Sequence, residues 1–467
     1  MSTINSSIFK AYDIRGIYPQ DFNEETAYDI GRAYLDYIRS AEKIEEPKIV
    51  VGRDARLSSP AIFKGLTEGI INQGADVFDI GFATTPMLYF AINFLGAQGG
   101  IMITASHNPP EYNGLKMDRE KAIPISGDSG LDIIQEKVLG RNFAEGKNKQ
   151  AILSESIKEY YIDFLTKDAQ IDFKGKIVID AGNGMTPLIL PEVLSRLKID
   201  YIPLYFDIDG AFPNHEANPL KEETLEVLKK TVKKEKALLG VAFDGDGDRV
   251  VFITEKGEVI SGDFLTAILT ENVLKNNPGG KVIYDLRSTR ILVETIKKAG
   301  GEPIITKVGY PNIRKLMREQ EAVLGGEISS HIYFPFQFPL GVSYFESGIY
   351  TMIKFLEILA KTKKKPSALL LPLKKYVNSG EINFKVENKE RVLSKIEEVY
   401  QKEAEFLKID GLSVDVKRGK DWFWFNVRPS NTEPLLRMIL EASRKTIFDE
   451  ELKNLSNLIA SLGGTRA

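Results

Sequence analysis

KIVVGRDARLSSPAIFKGLTEGIINQGADVFDIG, residues 48–81, holds the key to the architecture. It opens with an apolar, β-branched run and passes through a polar loop. Ser59 and Pro60 then open a helical periodicity, Gly74 stops it, and a second apolar run comes after. The segment reads as strand, helix, strand. Two further stretches repeat it: KIVIDAGNGMTPLILPEVLSRLKIDYIPLYFD, residues 176–207, and KVIYDLRSTRILVETIKKAGGEPIITKVG, residues 281–309. In each the first strand ends near an aspartate: Asp54, Asp180 and Asp285.

Downstream of each unit another apolar strand runs into a polar loop. These are GGIMITASHNP (99–109), ALLGVAFDGDGDR (237–249) and AVLGGEISSHIYF (322–334). The spacings from aspartate to loop are similar but unequal, as in diverged domains rather than in a solenoid. We infer three related α/β domains with one special loop each. Open α/β sheets place ligands at strand-to-helix loops, so the three loops are expected to converge on one cleft.

The rest of the chain is different in kind. KTKKKPSALLLP, residues 361–372, reads as a linker running into a new strand. Beyond it come a strand near 381–386, a long charged helix near 391–407, the aromatic strand DWFWFNVRPS (421–430) and the loop RPSNTEP (428–434). This predicts an α+β domain of about a hundred residues. The expected boundaries are 1–152, 153–255, 256–367 and 368–467.

Composition narrows the function classes. A chain of 467 residues predicts roughly three domains on length alone. Its 62 basic and 65 acidic residues leave a net charge of -3, without the basic excess of a nucleic-acid-binding protein. With no cysteine, disulfides, thiolate metal sites and cysteine nucleophiles are all excluded. The N-terminal MSTINSSIFKAYDIRG has no signal-peptide h-region, and no window reaches the ~18 uninterrupted apolar residues of a membrane span. The expectation is a cytoplasmic protein with neither nucleic-acid nor membrane partners; the oligomeric state is not legible.

DGDGDR, residues 244–249, carries the first piece of chemistry. Glycines between Asp244, Asp246 and Asp248 let the backbone fold tightly and aim three hard oxygen ligands at one point, as Mg²⁺ requires. An EF-hand is the competing reading. Glu255 falls at position 12, but Arg249 stands where that loop needs glycine, and the flanks are strand-like. A solvated acidic turn is the bland alternative, opposed by the repulsion of three clustered carboxylates.

TASHNPPEYNGLKM, residues 104–117, carries the second. Ser106 is not in a G-x-S-x-G elbow, which disfavours that hydrolase chemistry. A lone Ser-His pair is usually a turn hydrogen bond. Here Asn108, Pro109 and Pro110 fix a loop, and Lys116 supplies a cation for a phosphate. His107 and His331 lie in suspected site loops; the remaining histidine, His215, is assigned no role.

FKAYDIRG (9–16), TASHNPPEYNGLKM, DGDGDR, GEISSH (326–331) and RPSNTEP occur in an order and spacing that resemble the α-D-phosphohexomutases, in particular the phosphomannomutase/phosphoglucomutase group. The resemblance spans essentially the whole chain. It implies a heart-shaped enzyme with three α/β domains of shared topology, built on mixed sheets, and a fourth α+β domain like the TATA-binding protein, around a central cleft.

It also implies 1-phosphate to 6-phosphate isomerisation of hexose monophosphates through a phosphoserine at Ser106 and a hexose 1,6-bisphosphate, which also serves as activator. One Mg²⁺ per subunit would lie on Asp244, Asp246, Asp248 and a Ser106 phosphate oxygen. Arg15 and Arg249 would neutralise the transferring group beside His107, and Lys116 and His331 are candidates for the hydroxyl proton. Glu327 and Ser329 would meet the ring hydroxyls O3 and O4, with Tyr12, Tyr310 and Arg287 also lining the substrate site. Arg428, Ser430, Asn431, Thr432 and Arg437 would hold the other phosphate.

This chain departs from the family pattern at Tyr310, where histidine is common, and at Arg287, where lysine is common. It also reads Ser329-Ser330-His331 for the usual SGH, and has Glu346 and Ser347 for paired aspartates. Asn431 argues against a phosphoglucosamine mutase. A metal-dependent sugar-phosphate phosphatase and a non-catalytic sugar-phosphate binder are the alternatives from other classes.

Overall fold

A computed structural model describes residues 4–146, 151–169, 171–430 and 435–467. Three of its sheets share one topology. In the first, Lys48–Arg53 lies between Asp76–Phe82 and Gly99–Ile103, parallel to both, and Tyr112–Arg119 is antiparallel beyond them. In the second, Ile177–Asp180 lies between Tyr201–Leu204 and Leu239–Phe243, with Val250–Thr254 antiparallel beyond. The third repeats this with Lys281–Asp285 between Glu302–Thr306 and Leu324–Gly326, and Ile332–Phe338 antiparallel.

The three special loops occupy one equivalent place, between the third strand of each unit and its antiparallel neighbour. They therefore differ from the strand-to-helix loops expected from sequence. Each turns straight back into a strand. The aspartate loop, for instance, runs directly into the β-branched Val250–Thr254, which pairs with Leu239–Phe243. Strand flanks on both sides also exclude the EF-hand, which needs helices.

Both faces of these sheets are covered, as parallel strands require. Along Lys48–Arg53, Ile49 and Val51 join a core with Ile30, Tyr34 and Ile62, while Val50 points the other way to Met87 and Leu88. That second core runs on without a break through Phe243, Phe252, Phe334 and Phe355, so the three units share apolar packing.

The fourth sheet is antiparallel throughout, in the order Ala404–Leu407, Leu412–Arg418, Asp421–Pro429, Leu435–Ala442, Ile382–Lys385 and Thr465–Arg466. Val392 and Ile396 of helix Lys389–Tyr400, with Leu455 and Ile459 of Lys445–Ser461, pack on its apolar side. It is the expected α+β unit, and the length prior of three domains gives way to four sheets.

Two local expectations are corrected. The charged helix is Lys389–Tyr400 alone; residues Ala404–Leu407 form a strand because they pair with Leu412–Arg418. The supposed linker is helical at both ends: Gly348–Thr362 stops at Lys363, whose left-handed φ of 54° caps it, and Pro366 opens the short helix Pro366–Leu370. Among the described residues no helix is long and apolar enough to cross a membrane.

Candidate active site

Ser106 lies just past strand Gly99–Ile103, 1% exposed, with a left-handed φ of 53°. A serine held there costs about 1 kcal/mol, and such strain persists where neighbours over-determine the backbone. Its N–H donates to Thr104 Oγ1 at 2.9 Å. Its Oγ lies 3.1 Å from Asp244 Oδ2 of the second unit and 3.1 Å from His107 Nδ1. Burial, with Arg249 and Arg15 nearby, holds the His107 pKa well below its ordinary value, so the ring is neutral at pH 7. Arg15 closes the loop from outside through Asn108 Oδ1 at 2.7 Å, and Asp13 orients its fork.

The three aspartates are buried, and their ligand oxygens lie within 4.8 Å of one another. The loop that carries them is pinned from both sides. Thr85 of the first unit donates through its N–H to the Asp246 carbonyl at 2.9 Å and through Oγ1 to Asp246 Oδ2 at 2.6 Å. From the third unit, His331 forms a backbone bridge with Arg249, and Gly348 N–H donates to the Gly247 carbonyl at 3.2 Å. Gly247 has φ +75°, and a Cβ there would sit 2.9 Å from Thr186 Cγ2, so glycine is required.

The donor set fits a hard divalent cation. Oδ1 of Asp246 is buried without a hydrogen-bond partner, and Asp244 Oδ2 meets the Ser106 hydroxyl at 3.1 Å. Burial and the charges of Asp248 and Asp246 push the Asp244 pKa well up, the signature of carboxylates short of a cation. Asp248 is also raised by burial, but Lys116, His331 and Arg249 outweigh this and hold it well below its usual range.

Lys116 lies across Asp246 Oδ2 at 2.7 Å and Asp248 Oδ2 at 2.6 Å. Burial lowers its pKa, but the two aspartates prevail and raise it, so the ammonium is charged. His331 joins the same network: Arg249 Nε donates to its Nε2 at 3.1 Å, Asp248 Oδ1 is 3.3 Å from that nitrogen, and Glu327 Oε2 is 3.1 Å from Nδ1. Burial and Arg249 lower its pKa; Asp248 and Glu327 outweigh them and bring it to about 9. The Arg249 contact therefore describes the neutral ring, and the two carboxylates favour the protonated one.

In the third loop Glu327 accepts from Gly309 N–H at 2.9 Å and from Tyr333 OH at 2.6 Å. Burial raises its pKa, but His331 and Arg287 bring it down to about 2. Ser329 Oγ is 3.2 Å from His331 Nδ1. Tyr12 and Tyr310 lock the first unit to the third: Tyr12 OH donates to the Val308 carbonyl at 2.8 Å and Tyr310 OH to the Tyr12 carbonyl at 3.0 Å. Arg287 is bound to Asp285 at 2.8 Å and reaches within 3.8 Å of Glu381 in the fourth unit.

Glu381 also takes Arg428 and Arg437, each at 2.9 Å, so the arginines singled out in that unit share one carboxylate. Ser430 N–H donates to the Leu435 carbonyl at 2.8 Å. Asn431 and Thr432 lie outside the described residues.

The structure thus brings Ser106, His107, Lys116, Arg15, Arg249, His331 and the three aspartates together, with Glu327 and Ser329 adjoining. Sequence reading missed Thr85, Glu381 and Arg56. For Arg56 a signal existed, since Asp54-Ala55-Arg56 and Asp285-Leu286-Arg287 recur at equivalent strand ends.

Family models for phosphoglucomutase/phosphomannomutase match the chain in order: alpha/beta/alpha domain I over residues 6–144, domain II over 159–257, domain III over 261–376 and the C-terminal domain over 381–455. A phosphomannomutase of Methanocaldococcus jannaschii is 38% identical over 462 residues, covering 97% of this chain and 98% of its own. A phosphomannomutase/phosphoglucomutase of Pseudomonas aeruginosa is 36% identical over 469 residues, covering 97% and 96%. The crystal structure of a phosphoglucomutase/phosphomannomutase family protein from Burkholderia thailandensis superposes with a TM-score of 0.89 at 32% identity, covering 99% of each chain.

Proposed function

The chain belongs to the phosphoglucomutase/phosphomannomutase family, and we propose that it interconverts the 1-phosphates and 6-phosphates of mannose and glucose through phosphorylated Ser106 and a hexose 1,6-bisphosphate. One observation carries this reading: a buried serine hydroxyl of one domain 3.1 Å from a buried three-aspartate pocket of the next. A serine at a cation site is the arrangement of a phosphoryl carrier.

Phosphorylated Ser106 gives its phosphoryl group to the free hydroxyl of the hexose monophosphate. The Ser106 Oγ–P bond breaks, the sugar O–P bond forms, the sugar hydroxyl proton passes to a protein base, and a protein acid returns a proton to Ser106 Oγ. The bisphosphate then reorients and returns its other phosphate to Ser106. Asp244, Asp246, Asp248 and a Ser106 phosphate oxygen would hold one Mg²⁺, which would neutralise charge on the transferring group.

Arg15 and Arg249 flank the serine and add to that neutralisation. Lys116 is charged at rest and so enters as a proton donor, while neutral His107 lies 3.1 Å from the serine oxygen. His331, which Asp248 and Glu327 favour in its protonated form, is the further candidate for proton transfer and likewise enters as a donor. Glu327 and Ser329 would meet the ring hydroxyls, with Tyr12, Tyr310 and Arg287 along the wall. Arg428, Ser430, Asn431, Thr432 and Arg437 would hold the phosphate at rest, displacing part of the hold of Glu381.

The division at 152, 255 and 367, a cytoplasmic location and activation by hexose 1,6-bisphosphate belong to the same proposal. The test is ³¹P NMR of the protein with Mg²⁺, a trace of glucose 1,6-bisphosphate, and glucose 1-phosphate with mannose 1-phosphate. Conversion of both to 6-phosphates, lost in Ser106→Ala, is expected; inorganic phosphate as the sole product would point to a phosphatase instead.

A further inference from the structure

The Arg56 side chain is fully buried, and all five of its N–H donors have acceptors. Nε donates to Asp54 Oδ2 at 3.1 Å. Nη1 donates to the carbonyls of Pro109 at 2.6 Å and Tyr112 at 2.9 Å, and Nη2 to those of Ser106 at 3.0 Å and Asn108 at 2.7 Å. Four of the five acceptors are therefore backbone oxygens, three in the loop that carries Ser106 and one at the first residue of the strand that follows it. Asp54 orients the fork, accepting also from Arg56 N–H at 3.1 Å and Ser59 Oγ at 2.8 Å.

The second unit completes the clamp. A Cβ on Gly245 would lie 2.5 Å from the Ser106 carbonyl oxygen, and one on Gly184 would lie 2.7 Å from the Gly245 oxygen. The serine loop, the aspartate loop and the turn at Gly184 are thus stacked with no room for a side chain. Phe212 covers the guanidinium at 5.0 Å from its ring centroid, and a Cβ on Gly210 would lie 2.1 Å from the Ala55 oxygen. The Ser106 carbonyl is wedged between Arg56 on one side and Gly245 on the other.

The equivalent aspartates serve other ends. Asp180 is partnered by His215 at 3.2 Å, and Asp285 by Arg287, whose fork faces the fourth unit. The carbonyl clamp belongs to the serine-bearing unit. A buried guanidinium is costly unless every donor is met, and five donors in a rigid plane fix the positions of the atoms that meet them.

We propose that Arg56 is a positioning residue for phosphoryl transfer. It holds the Ser106 backbone in its left-handed conformation and against Gly245, and so sets the distance from Ser106 Oγ to the aspartates. It touches neither sugar nor transferring phosphate. This role rests on the mutase reading. Lysine cannot replace the arginine, because three donors on a flexible stem do not reproduce the fork.

The test compares full-length Arg56→Lys and Asp54→Asn with the unaltered protein. It measures the single-turnover rate of Ser106 phosphorylation by glucose 1,6-bisphosphate, kcat and KM, glucose 1-phosphate affinity and thermal midpoint. Arg56→Lys is expected to fold and bind glucose 1-phosphate within about twofold, with unchanged KM, while the single-turnover rate and kcat fall about 100-fold, the scale of a small misplacement of a reacting group. Asp54→Asn should show the same split at smaller size, and decides alone if Arg56→Lys does not fold. The proposal is overturned if kcat stays within about threefold, if KM rises at constant kcat, or if the rate falls only in step with the folded fraction. An unaltered protein that never becomes phosphorylated would overturn both readings; one that does, beside undiminished variants, overturns the role of Arg56 alone.

Discussion

Lys116 shows how the site balances its charge. Its ammonium lies within 2.7 Å of one oxygen on each of two of the clustered aspartates, so it neutralises them and would compete with a divalent ion held there. Lys116→Met should therefore tighten Mg²⁺ binding by about tenfold while slowing turnover by about 100-fold, since a charged donor is lost from the transfer step. Titration calorimetry with Mg²⁺ beside steady-state kinetics checks both; weaker Mg²⁺ binding would mean that the lysine builds the pocket rather than competing for it. Lys116, Ser106 and the aspartates were legible because each stands in a compact run of unusual residues. Thr85 had no local pattern to announce it, and Arg56 only the Asp-x-Arg spacing it shares with Arg287, for their other partners are backbone carbonyls and a carboxylate far along the chain.

Among the elements, the loop at 326–331 shows how backbone and site are coupled. Ser330 has a left-handed φ of 66° where the family commonly carries glycine, and its carbonyl accepts from Val250 N–H at 3.4 Å, tying this loop to the strand that follows the aspartates. A β-branched residue there meets its own backbone, so Ser330→Val is expected to cost about 1–2 kcal/mol and to raise KM for hexose phosphate, while Ser330→Gly is tolerated. Urea unfolding and KM measurements decide; an undisturbed valine variant would show that the loop relaxes freely. Strands and helices with strong periodicity were readable, and the three repeated units emerged from them. The failures share a cause: Ala404–Leu407 is a strand because of Leu412–Arg418, and the serine loop returns as the strand Tyr112–Arg119 because of Gly99–Ile103. Pairing partners set those outcomes, which a local window does not contain.

Between domains, the first and third units meet through buried charge. Arg314 binds Asp118 at 3.1 Å, lies over the Tyr89 ring at 4.3 Å and donates to the Tyr344 carbonyl at 3.0 Å. Burial raises the Asp118 pKa, Arg314 pulls it back and Glu346 raises it again, leaving it at about 6 against an ordinary 3.8. The folded chain thus keeps a proton that the unfolded chain releases. This contribution is full below about pH 4 and is lost as pH rises through about 6, worth at most about 3 kcal/mol. Asp118→Asn keeps an acceptor for Arg314 without titrating, so its thermal midpoint should gain on that of the unaltered protein between about pH 4 and pH 6.5; parallel profiles would contradict the assignment. The fourth unit, whose Arg428 and Arg437 are held by Glu381, is expected to close on a bound hexose phosphate, so saturating glucose 1,6-bisphosphate should lower the radius of gyration in X-ray scattering. The decisive experiment traces the phosphoryl group itself. Glucose 1,6-bisphosphate labelled with ³²P is incubated with the protein and Mg²⁺, the label is located by peptide mapping, and unlabelled glucose 1-phosphate is then added. A phosphoserine mutase will carry label on Ser106 that the sugar phosphate chases back into bisphosphate, and none in Ser106→Ala; label that appears only as inorganic phosphate, or that never reaches Ser106, would contradict the proposed chemistry.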